Sequence, residues 1–355
     1  MKESLIELKS LTIIDIVDNE SDGMSSPCAC MASIPNNSSQ KDDRVATYTQ
    51  EIVSRLMDDK ALDMGSLCTS AHGLSLLLIA EYVTNDTEVV RKYLLMDGGP
   101  DPKIWSENAK KCKIPLQEIR NVVLSHYHID HSNGLRNAVK EISQYRTQAG
   151  KKEPVIVDLH KSQIETRGIK VRGTIYPMKP PNPIAKEFED MGANVTLHKT
   201  GHVVDDCFYI SGDIPRQTNY ENGLPGHFNQ TDSKHGKMWV PDERISDERY
   251  IACKIRGRGV VVFSACSHAG IVNVCLDATE QLESKLTAAV GGFHLAGSSV
   301  EDRIEETVKA LQDLNPELLL AGHCTGWRAK AKLAETFPYN FQPLSVGGTY
   351  KFNSM

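Results

Sequence analysis

The sequence lacks any long hydrophobic run. Its longest apolar stretch lies near residues 74–80, whereas a helix needs roughly 18 or more apolar residues to span a bilayer. The first residues, Met1 to Leu5, include an early acidic residue and no apolar segment of the kind found in signal peptides. These absences predict a protein without a membrane span, and a cytoplasmic location is the default expectation.

Cysteine spacing of the kind found in metal fingers is also missing. The nine cysteines show no repeated spacing, and Cys28 and Cys30 are separated by a single residue. An odd number of irregularly spaced cysteines does not indicate a disulfide framework, so reduced thiols are expected. Cys266 and Cys324 each lie within two residues of a strand-end histidine, and packing is favoured over metal binding as the role of both.

The chain has no excess of positive charge, no short repeat and no low-complexity tract. Its formal net charge is −6, with lysines and arginines scattered along the sequence. This distribution disfavours nucleic-acid binding. A chain of 355 residues with 40% hydrophobic content can bury a large core. A single domain over residues 1–355 is therefore predicted.

Histidine, by contrast, is concentrated in one place. His126, His128, Asp130 and His131 directly follow the apolar run at residues 122–124. Side chains at positions i and i+2 of an extended segment point to the same face, so His126 and His128 can hold one ion. Asp130 continues that alternation, and His131 can face a second ion beside the first. Imidazole and carboxylate ligands suit zinc, manganese or iron, so the cluster predicts a metal site.

Three further histidines follow apolar runs that are typical of buried strands. They are His268 after residues 260–263, His294 after residues 288–290, and His323 after residues 318–320. Small residues and glycines near each of them let the backbone turn sharply beside an ion. A hydrolytic metal centre needs ligands from distant parts of the chain while one position stays open for water. These three histidines are therefore candidate ligands.

The pattern His-x-His-x-Asp-His, followed by isolated histidines at later strand ends, resembles that of the metallo-beta-lactamase superfamily. The resemblance implies two neighbouring metal sites. The ligands implied for the first ion are His126, His128 and His268, and those implied for the second are Asp130, His131 and His323.

One position departs from the superfamily pattern. The aspartate that usually bridges the two ions is replaced by Gly291-Gly292-Phe293-His294, which contains no aspartate. His294 is therefore implied either as a substitute ligand or as a group that contacts the substrate. The departure leaves open whether one or two divalent ions bind. Zinc is the first candidate, with manganese or iron as alternatives.

A narrower resemblance covers most of the chain. It rests on residues 70–75, 211–216, 266–273, 292–295 and 322–326. These segments resemble the branch of the superfamily named after 7,8-dihydropterin-6-methyl-4-(beta-D-ribofuranosyl)aminobenzene-5'-phosphate synthase. Such a match transfers a scaffold and a metal site more safely than it transfers a substrate.

The predicted elements agree with an α/β protein. Strands are predicted at residues 11–19, 74–82, 93–96, 155–158, 207–210, 260–263, 288–290 and 318–320, and helices at residues 49–57, 135–145, 272–286 and 303–314. Two such halves, packed sheet to sheet with helices outside, give the four-layer αββα sandwich of the metallo-beta-lactamase fold. Asp97, at the end of one strand, resembles the superfamily aspartate that orients the metal-binding loop through hydrogen bonds.

Two segments show little regular pattern. Residues 20–44, rich in Ser, Asn, Asp and Pro, are predicted as a mobile loop that could act as a lid. Residues 213–250 are a polar insertion expected to cover the cleft. Within it, Arg216 could pair with an anionic group of the substrate or hold the loop through a salt bridge. The insertion also contains His227, His235, Tyr220 and Trp239, without an assigned role.

The chemistry predicted for the site is hydrolysis of an ester, lactone or phosphoester by metal-activated water. Asp130 would hold and orient the nucleophile, and His294 would stabilise the leaving group or a developing oxyanion. Two alternatives stay open. One is a transferase or synthase acting on a phosphorylated ribosyl-pterin-like substrate, and the other is a non-catalytic metal-dependent ligand sensor. The expected partner is a small-molecule substrate, with an anionic one as an option, and the oligomeric state is left open.

Overall fold

The computed structural model describes residues 5–33, 44–59, 63–84, 88–234 and 236–355. Residues 34–43 of the predicted mobile loop, and His235 of the predicted insertion, lie outside the described residues. The strands of the described chain are β1 Ser10–Val17, β2 Met31–Ser33, β3 Ala46–Thr49, β4 Ser75–Val83, β5 Val89–Met96, β6 Asn121–Val123, β7 Ile156–His160, β8 Arg167–Val171, β9 Thr174–Pro177, β10 Asn194–His198, β11 His202–Val204, β12 Phe208–Ile210, β13 His227–Ser233, β14 Gly236–Pro241, β15 Ile251–Ile255, β16 Gly259–Ser264, β17 Leu286–Gly292, β18 Leu318–Gly322, β19 Phe341–Pro343 and β20 Thr349–Asn353.

Helices alternate with these strands. They are α1 Glu51–Asp59, α2 Pro102–Lys111, α3 Ile129–Ser132, α4 Leu135–Gln148, α5 Ala185–Asp190, α6 Ile271–Gln281, α7 Ile304–Leu314 and α8 Trp327–Thr336. None of the helices in the described ranges is long and apolar enough to span a membrane. The helix predicted over residues 272–286 is shorter, because Glu283 has a φ of 48° that reverses the chain before β17.

The strands assemble into two large sheets and one small one. The strand order is β10-β7-β6-β5-β4-β1-β20-β3-β2 in the first sheet, β11-β12-β15-β16-β17-β18-β19 in the second, and β14-β13-β8-β9 in the third. Strands β5, β6 and β7 are parallel neighbours in the first sheet, and β16, β17 and β18 are parallel neighbours in the second. The loops that follow these strands therefore gather at sheet edges, where α/β proteins place their sites.

Burial explains why the two large sheets form a sandwich. Side chains of both sheets, such as Leu78 from β4 and Val261 from β16, share one buried cluster. The next residue, Val262, points to the opposite face and packs with the helices α6 and α7. Strand β16 is buried along its whole length because both faces are covered, which accounts for its continuous apolar sequence.

Helices cover the outer face of the first sheet as well. Trp105 of α2 and Val139 of α4 are buried there against Leu77 and Val122. The layers are therefore helix, sheet, sheet, helix, and the predicted αββα sandwich is confirmed.

The predicted polar insertion is more regular than its sequence indicates. Strands β13 and β14 form a hairpin within it, and β13 pairs with β8, which the sequence pattern did not predict. Most side chains of β14 are exposed, so no buried face requires an apolar residue at every second position, and apolar and polar residues do not alternate along the strand. Without that alternation the period of two residues that marks a strand is absent.

Two glycines bring the metal-binding loop against the end of β5. The amide of Gly98 donates a hydrogen bond to the His131 carbonyl at 2.8 Å, and the amide of Gly134 donates to the Gly99 carbonyl at 3.0 Å. A Cβ atom at Gly134 would lie 1.9 Å from the Gly98 carbonyl oxygen. The two backbones can approach this closely only because side chains are missing on both.

Gly134→Ala is expected to destabilise the fold by about 1–3 kcal/mol, because backbone atoms would have to move apart. Urea unfolding of the variant and the parent chain measures the change. Gly65→Ala is the matched control, since its Cβ would lie 3.4 Å from its nearest neighbour, a side-chain oxygen. Equal loss of stability in both variants would contradict the steric argument.

Candidate metal centre

The first set of donors consists of His126, His128 and His268. Their donor atoms all lie within 4.8 Å of one another. The Nε2 of His126 is 2.9 Å from the Nδ1 of His128, and the ring of His268 lies 4.8 Å from each of the other two rings. All three side chains are buried. The structure thus brings together the three histidines that the resemblance implies for one ion.

The second set lies beside the first and contains Asp130, His131 and His323. The Oδ2 atom of Asp130 is 3.5 Å from the Nε2 of His131 and 3.3 Å from the Nε2 of His323. A thiol, that of Cys266, falls within 4.8 Å of the same donors. The extended alternation predicted through Asp130 stops at His128, because helix α3 begins at Ile129.

Four of these five histidines are oriented by a hydrogen-bonding partner at Nδ1, the ring nitrogen that faces away from the centre. The Nδ1 partners are the Ser125 hydroxyl for His126 at 2.9 Å, Asp97 for His131 at 2.8 Å, Glu248 for His268 at 2.8 Å, and the Asn19 amide oxygen for His323 at 2.9 Å. Such partners hold the ring and leave Nε2 directed at the centre, as in metal-ligating histidines generally.

Asp97 joins the end of β5 to the metal-binding loop. Its Oδ1 accepts a hydrogen bond from the Ser125 amide at 2.7 Å, and its Oδ2 accepts from the Ser125 hydroxyl at 2.7 Å and contacts the Nδ1 of His131 at 2.8 Å. The loop-orienting role that the resemblance implies for Asp97 is confirmed by these contacts.

A buried arginine holds the same loop from the small third sheet. The Nε of Arg167 donates to the Tyr127 carbonyl at 2.7 Å, and its guanidinium also pairs with Asp242 at 2.7 Å and with Asp247. Asp247 in turn accepts a hydrogen bond from the Tyr127 amide at 2.6 Å. The hairpin of the polar insertion therefore helps to position the residue between His126 and His128.

A second buried arginine supports the strand that leads into the loop. The Nη1 of Arg249 donates to Asp158 at 2.6 Å, and its Nη2 donates to the Leu124 carbonyl at 2.6 Å. Its backbone amide donates to the Ser125 carbonyl at 2.9 Å. Arg249 is fully enclosed, so its charge depends on Asp158 for neutralisation.

Burial and neighbouring charges separate the two sets electrostatically. Burial, assisted by nearby cationic groups, holds the pKa values of His126 and His128 well below the usual range, so both rings are neutral and able to bind an ion. Burial would raise the pKa of Asp130, but the charges of His131 and His323 outweigh it and hold that pKa well below normal. Burial likewise opposes protonation of His131, yet Asp130 and Asp97 raise its pKa to about 9. An ion entering the second set must therefore displace a proton.

Four of the eleven described non-glycine residues with a positive φ angle border the same atoms. Asp97, Ser267, His294 and His323 have φ angles of 60°, 62°, 43° and 44°. Residues other than glycine rarely adopt this left-handed region, and such conformations occur preferentially at functional sites. Each of the four residues lies at or just after the end of a strand that borders the centre.

The predicted substrate residues occupy different places. His294 lies at the centre: its donor atom is within 4.8 Å of those of His268 and Cys266, and its Nδ1 is buried with no hydrogen-bond partner among the described residues. Arg216 donates to the backbone carbonyls of Ile214 at 2.8 Å and Arg244 at 2.9 Å. Arg216 therefore holds the loop through hydrogen bonds to carbonyl groups. The sequence argument had offered a salt bridge as the way in which it could hold the loop.

A cavity of about 370 Å³ adjoins the first set. Glu248 and Ala269, which flank His268, form part of its wall, and its charged lining includes Lys199, Arg216, Arg244 and Asp213. The Nε2 of His160 and the Nε of Arg216 also belong to lining residues and are buried without a hydrogen-bond partner in the described chain. We call this space the side cavity. Its lining has three cationic side chains against two carboxylates, Asp213 and Glu248, together with unpaired buried donors.

Several contributing residues were missed by the sequence argument. Glu248 and Asn19, which contact the candidate ligands His268 and His323, are single polar residues that no spacing in the sequence marks. His72 lies 3.6 Å from Asp130, and the ring of His227 is 5.4 Å from that of His128. The sequence singles out His227 without a role and His72 within residues 70–75, and only the tertiary contacts place these two histidines at the centre and identify Glu248 and Asn19.

A separate cluster combines Asp158, His198 and His202. The Nε2 of His202 is 2.6 Å from Asp158, and the two imidazoles are stacked with centroids 3.7 Å apart. The Nε2 of His198 is 3.8 Å from the same carboxylate oxygen, and the other oxygen of Asp158 accepts a hydrogen bond from Arg249 at 2.6 Å. This geometry fits a hydrogen-bonded carboxylate better than a bound ion.

The donor sets fit divalent metal ions. Metal binding requires neutral imidazoles and an ionised carboxylate. The histidine nitrogens that face the centre are oriented by the hydrogen-bonding partners of the opposite ring nitrogens. With helices outside two packed sheets and this histidine-rich centre at their edge, the chain is a protein of the metallo-beta-lactamase fold.

Comparison with known proteins agrees with that assignment. No family model matches the chain. The sequence is 26% identical to 7,8-dihydropterin-6-methyl-4-(beta-D-ribofuranosyl)-aminobenzene-5'-phosphate synthase of Methanocaldococcus jannaschii over 287 residues, which cover 80% of this chain and 90% of that protein. It is 28% identical to an uncharacterized protein of the same organism over 267 residues, covering 74% and 88% of the two chains.

A solved structure shows the same fold. The crystal structure of Tm1679, described as a metal-dependent hydrolase of the beta-lactamase superfamily, matches with a TM-score of 0.63 and 20% sequence identity, covering 96% of this chain and 98% of that chain. The resemblance to the metallo-beta-lactamase superfamily, and to its dihydropterin synthase-like branch, is therefore confirmed.

Proposed function

We propose that the chain is a metal-dependent hydrolase that uses water to cleave an ester, lactone or phosphoester. The observation that supports this most strongly is the pair of adjacent donor sets, whose histidines are oriented by hydrogen-bonding partners. A cavity of small-molecule size lies beside them. A bound divalent ion lowers the pKa of coordinated water and polarises the bond under attack. Zinc is the first candidate because imidazole-rich sets suit it, with manganese or iron as alternatives.

Asp130 is the residue proposed to orient the attacking water. Its side chain is 17% exposed, whereas the side chains of His131 and His323 beside it are fully enclosed. With its pKa held well below normal, it stays ionised and can accept a hydrogen bond from water at neutral pH. A fixed acceptor next to the reacting bond contributes through orientation and proton acceptance.

The side cavity is proposed to hold an anionic part of the substrate. Lys199, Arg216 and Arg244 supply positive charge there, and the guanidinium groups can pair with phosphate or carboxylate. The Nε of Arg216 is a buried donor, and so is the Nε2 of His160, because the Nδ1 of that ring accepts from the Ser162 amide; a ligand with acceptor oxygens could satisfy both. A small anionic ester or phosphoester therefore fits this lining better than a neutral, apolar one.

Metal content tests the proposal. Elemental analysis of protein purified without chelator is expected to find about two equivalents of metal per chain, with partial loss in His126→Ala and in His323→Ala, because each variant removes a donor from one set. His198→Ala is the matched control, since its ring is stacked on His202 away from both sets. One equivalent, lost with His126 but not with His323, would reject the two-ion hydrolase and favour the synthase or a ligand sensor.

His294→Ala is expected to lower turnover by about 10²–10³-fold while leaving the metal content unchanged. The reason is that His294 reaches the centre beside His268 and would stabilise the developing oxyanion or leaving group. Steady-state hydrolysis of an ester panel, combined with elemental analysis, measures both quantities. Unchanged turnover with unchanged metal would remove the proposed role, and lost metal would make His294 a ligand.

A synthase is the second candidate, because the relative from Methanocaldococcus jannaschii carries that description. On this alternative the same donors and the side cavity would bind a phosphorylated ribosyl-pterin-like substrate. The two reactions differ in what they consume. A hydrolase forms product from one substrate and incorporates oxygen from ¹⁸O-labelled water, whereas a synthase forms product only when a second substrate is present.

A further inference from the structure

The second donor set lacks the carboxylate that the superfamily resemblance would place at Gly291-Gly292. The structure shows why no side chain can stand there. A Cβ atom at Gly292 would lie 2.4 Å from the Ala265 carbonyl oxygen and 2.7 Å from the sulfur of Cys324. The space beside β17 is already filled, so a ligand for this position has to come from another strand end.

Cys266 comes from the neighbouring strand end, after β16. Its sulfur lies 3.1 Å from the Nε2 of His131 and 3.3 Å from the Nε2 of His323. The same sulfur is within 4.8 Å of the donor atoms of His268 and His294. Cys266 is thus placed where the two donor sets meet, and its side chain is buried.

The distances match a tetrahedral site. Zinc bonds of about 2.0–2.1 Å to nitrogen or oxygen and about 2.3 Å to sulfur give tetrahedron edges of roughly 3.3–3.6 Å. Four of the six distances among the donor atoms of Asp130, His131, His323 and Cys266 measure 3.1, 3.3, 3.3 and 3.5 Å, and all six are within 4.8 Å. The shortest, between Cys266 and His131, would lengthen slightly around a bound ion. A set of two imidazoles, one carboxylate and one sulfur can therefore surround a single ion with little rearrangement.

We propose that Cys266 is a thiolate ligand of the second set and takes the place of the missing carboxylate. On binding the ion, the thiol releases its proton to solvent and the sulfur supplies the fourth bond. A soft sulfur ligand favours zinc over magnesium or calcium. The inference shares one premise with the proposed function, namely that the donor sets hold divalent ions.

Cobalt substitution of the full chain tests the assignment. A thiolate bound to Co²⁺ gives an intense sulfur-to-metal charge-transfer band in the near ultraviolet, which nitrogen and oxygen ligands do not give. We expect this band in the parent chain and its loss in Cys266→Ser, while the weaker visible bands of cobalt at the first set persist. Cys112→Ser is the matched control and should keep the band, because the Cys112 sulfur contacts that of Cys68 at 3.4 Å, outside the donor sets. The Cys324 sulfur also contacts the side chains of His323 and His294, so a band lost in Cys324→Ser but kept in Cys266→Ser would overturn the assignment.

Each outcome decides the question. A band that persists in Cys266→Ser, or that is absent from the cobalt-loaded parent chain, overturns the assignment. If Cys266→Ser does not fold, Cys266→Asp provides an oxygen ligand at the same place and should bind cobalt without the band. A parent chain that takes up no cobalt refutes the metal premise of the proposed function as well. Ester hydrolysis by a cobalt-loaded chain without the band refutes the Cys266 assignment alone.

Discussion

Asp97→Asn is expected to reduce the metal affinity of the second donor set by about 10–100-fold. The carboxylate accepts the Nδ1 proton of His131, so that Nε2, which faces Asp130, is the nitrogen that binds an ion once its own proton is displaced. An asparagine amide at this position would donate to Nδ1 and force the proton onto Nε2, where it blocks metal binding. Titration calorimetry of the apo chain with zinc measures the loss. Asparagine tolerates the left-handed backbone at this position, so the change is confined to the two hydrogen bonds at Oδ2, with His131 and with the Ser125 hydroxyl.

The matched control is Asp101→Asn, four residues further along the chain. Asp101 caps helix α2 by accepting hydrogen bonds from the amides of Lys103 and Ile104, and asparagine caps helices equally well. The control should bind zinc like the parent chain. Equal zinc affinity in Asp97→Asn and the parent would show that Asp97 does not set the tautomer of His131.

Arg249→Met is expected to destabilise the fold by about 3–5 kcal/mol, because it leaves Asp158 as a buried charge without its cationic partner. It also removes the donor to the Leu124 carbonyl, directly before the metal-binding loop. Urea unfolding measures the change. The control is Arg328→Met, which breaks a 3.1 Å contact with Glu301 at the surface and should cost no more than about 1 kcal/mol.

The double variant Arg249→Met with Asp158→Asn removes both charges and should recover much of the lost stability. Burial raises the pKa of Asp158, but the hydrogen bond from His202 and the charge of Arg249 outweigh it and lower that pKa. A lowered pKa in the folded state adds stability above the unfolded value of about 3.9, and this contribution is lost as the pH falls below it. The penalty of Arg249→Met should therefore be largest near neutral pH and shrink below about pH 4. A penalty that is independent of pH would contradict the charge argument.

Local sequence patterns predicted the sandwich and most of its elements. The apolar run of β16 indicates a strand covered on both faces, and the periodic segments around α4 and α7 indicate helices. The hairpin β13–β14 was not predicted, because apolar and polar residues do not alternate along it, and the apolar Met238 and Val240 of β14 are exposed. Its register depends on pairing with β8, more than 50 residues earlier in the chain.

The candidate site likewise has one part that local sequence predicted and another part that it did not. The spacing of His126, His128, Asp130 and His131 fixes their proximity, since a strand end and one helical turn allow few arrangements. Their orientation depends on residues far away in the sequence: the Asn19 contact with His323 spans 304 positions, and the Cys266 contact spans 57. No local pattern marks such partners. They are single residues that form hydrogen bonds where several strand ends lie close together, and they are not part of a regularly repeating apolar or polar face.

By itself, the sequence determined a layered α/β protein with a histidine-rich metal centre, because apolar periodicity and ligand spacing are local properties of the chain. Only the tertiary structure decided which groups orient those ligands, that Cys266 stands between the two sets, and that no side chain fits at Gly292. These features follow from how closely separate strand ends approach one another, and that distance is set by the packing of the two sheets.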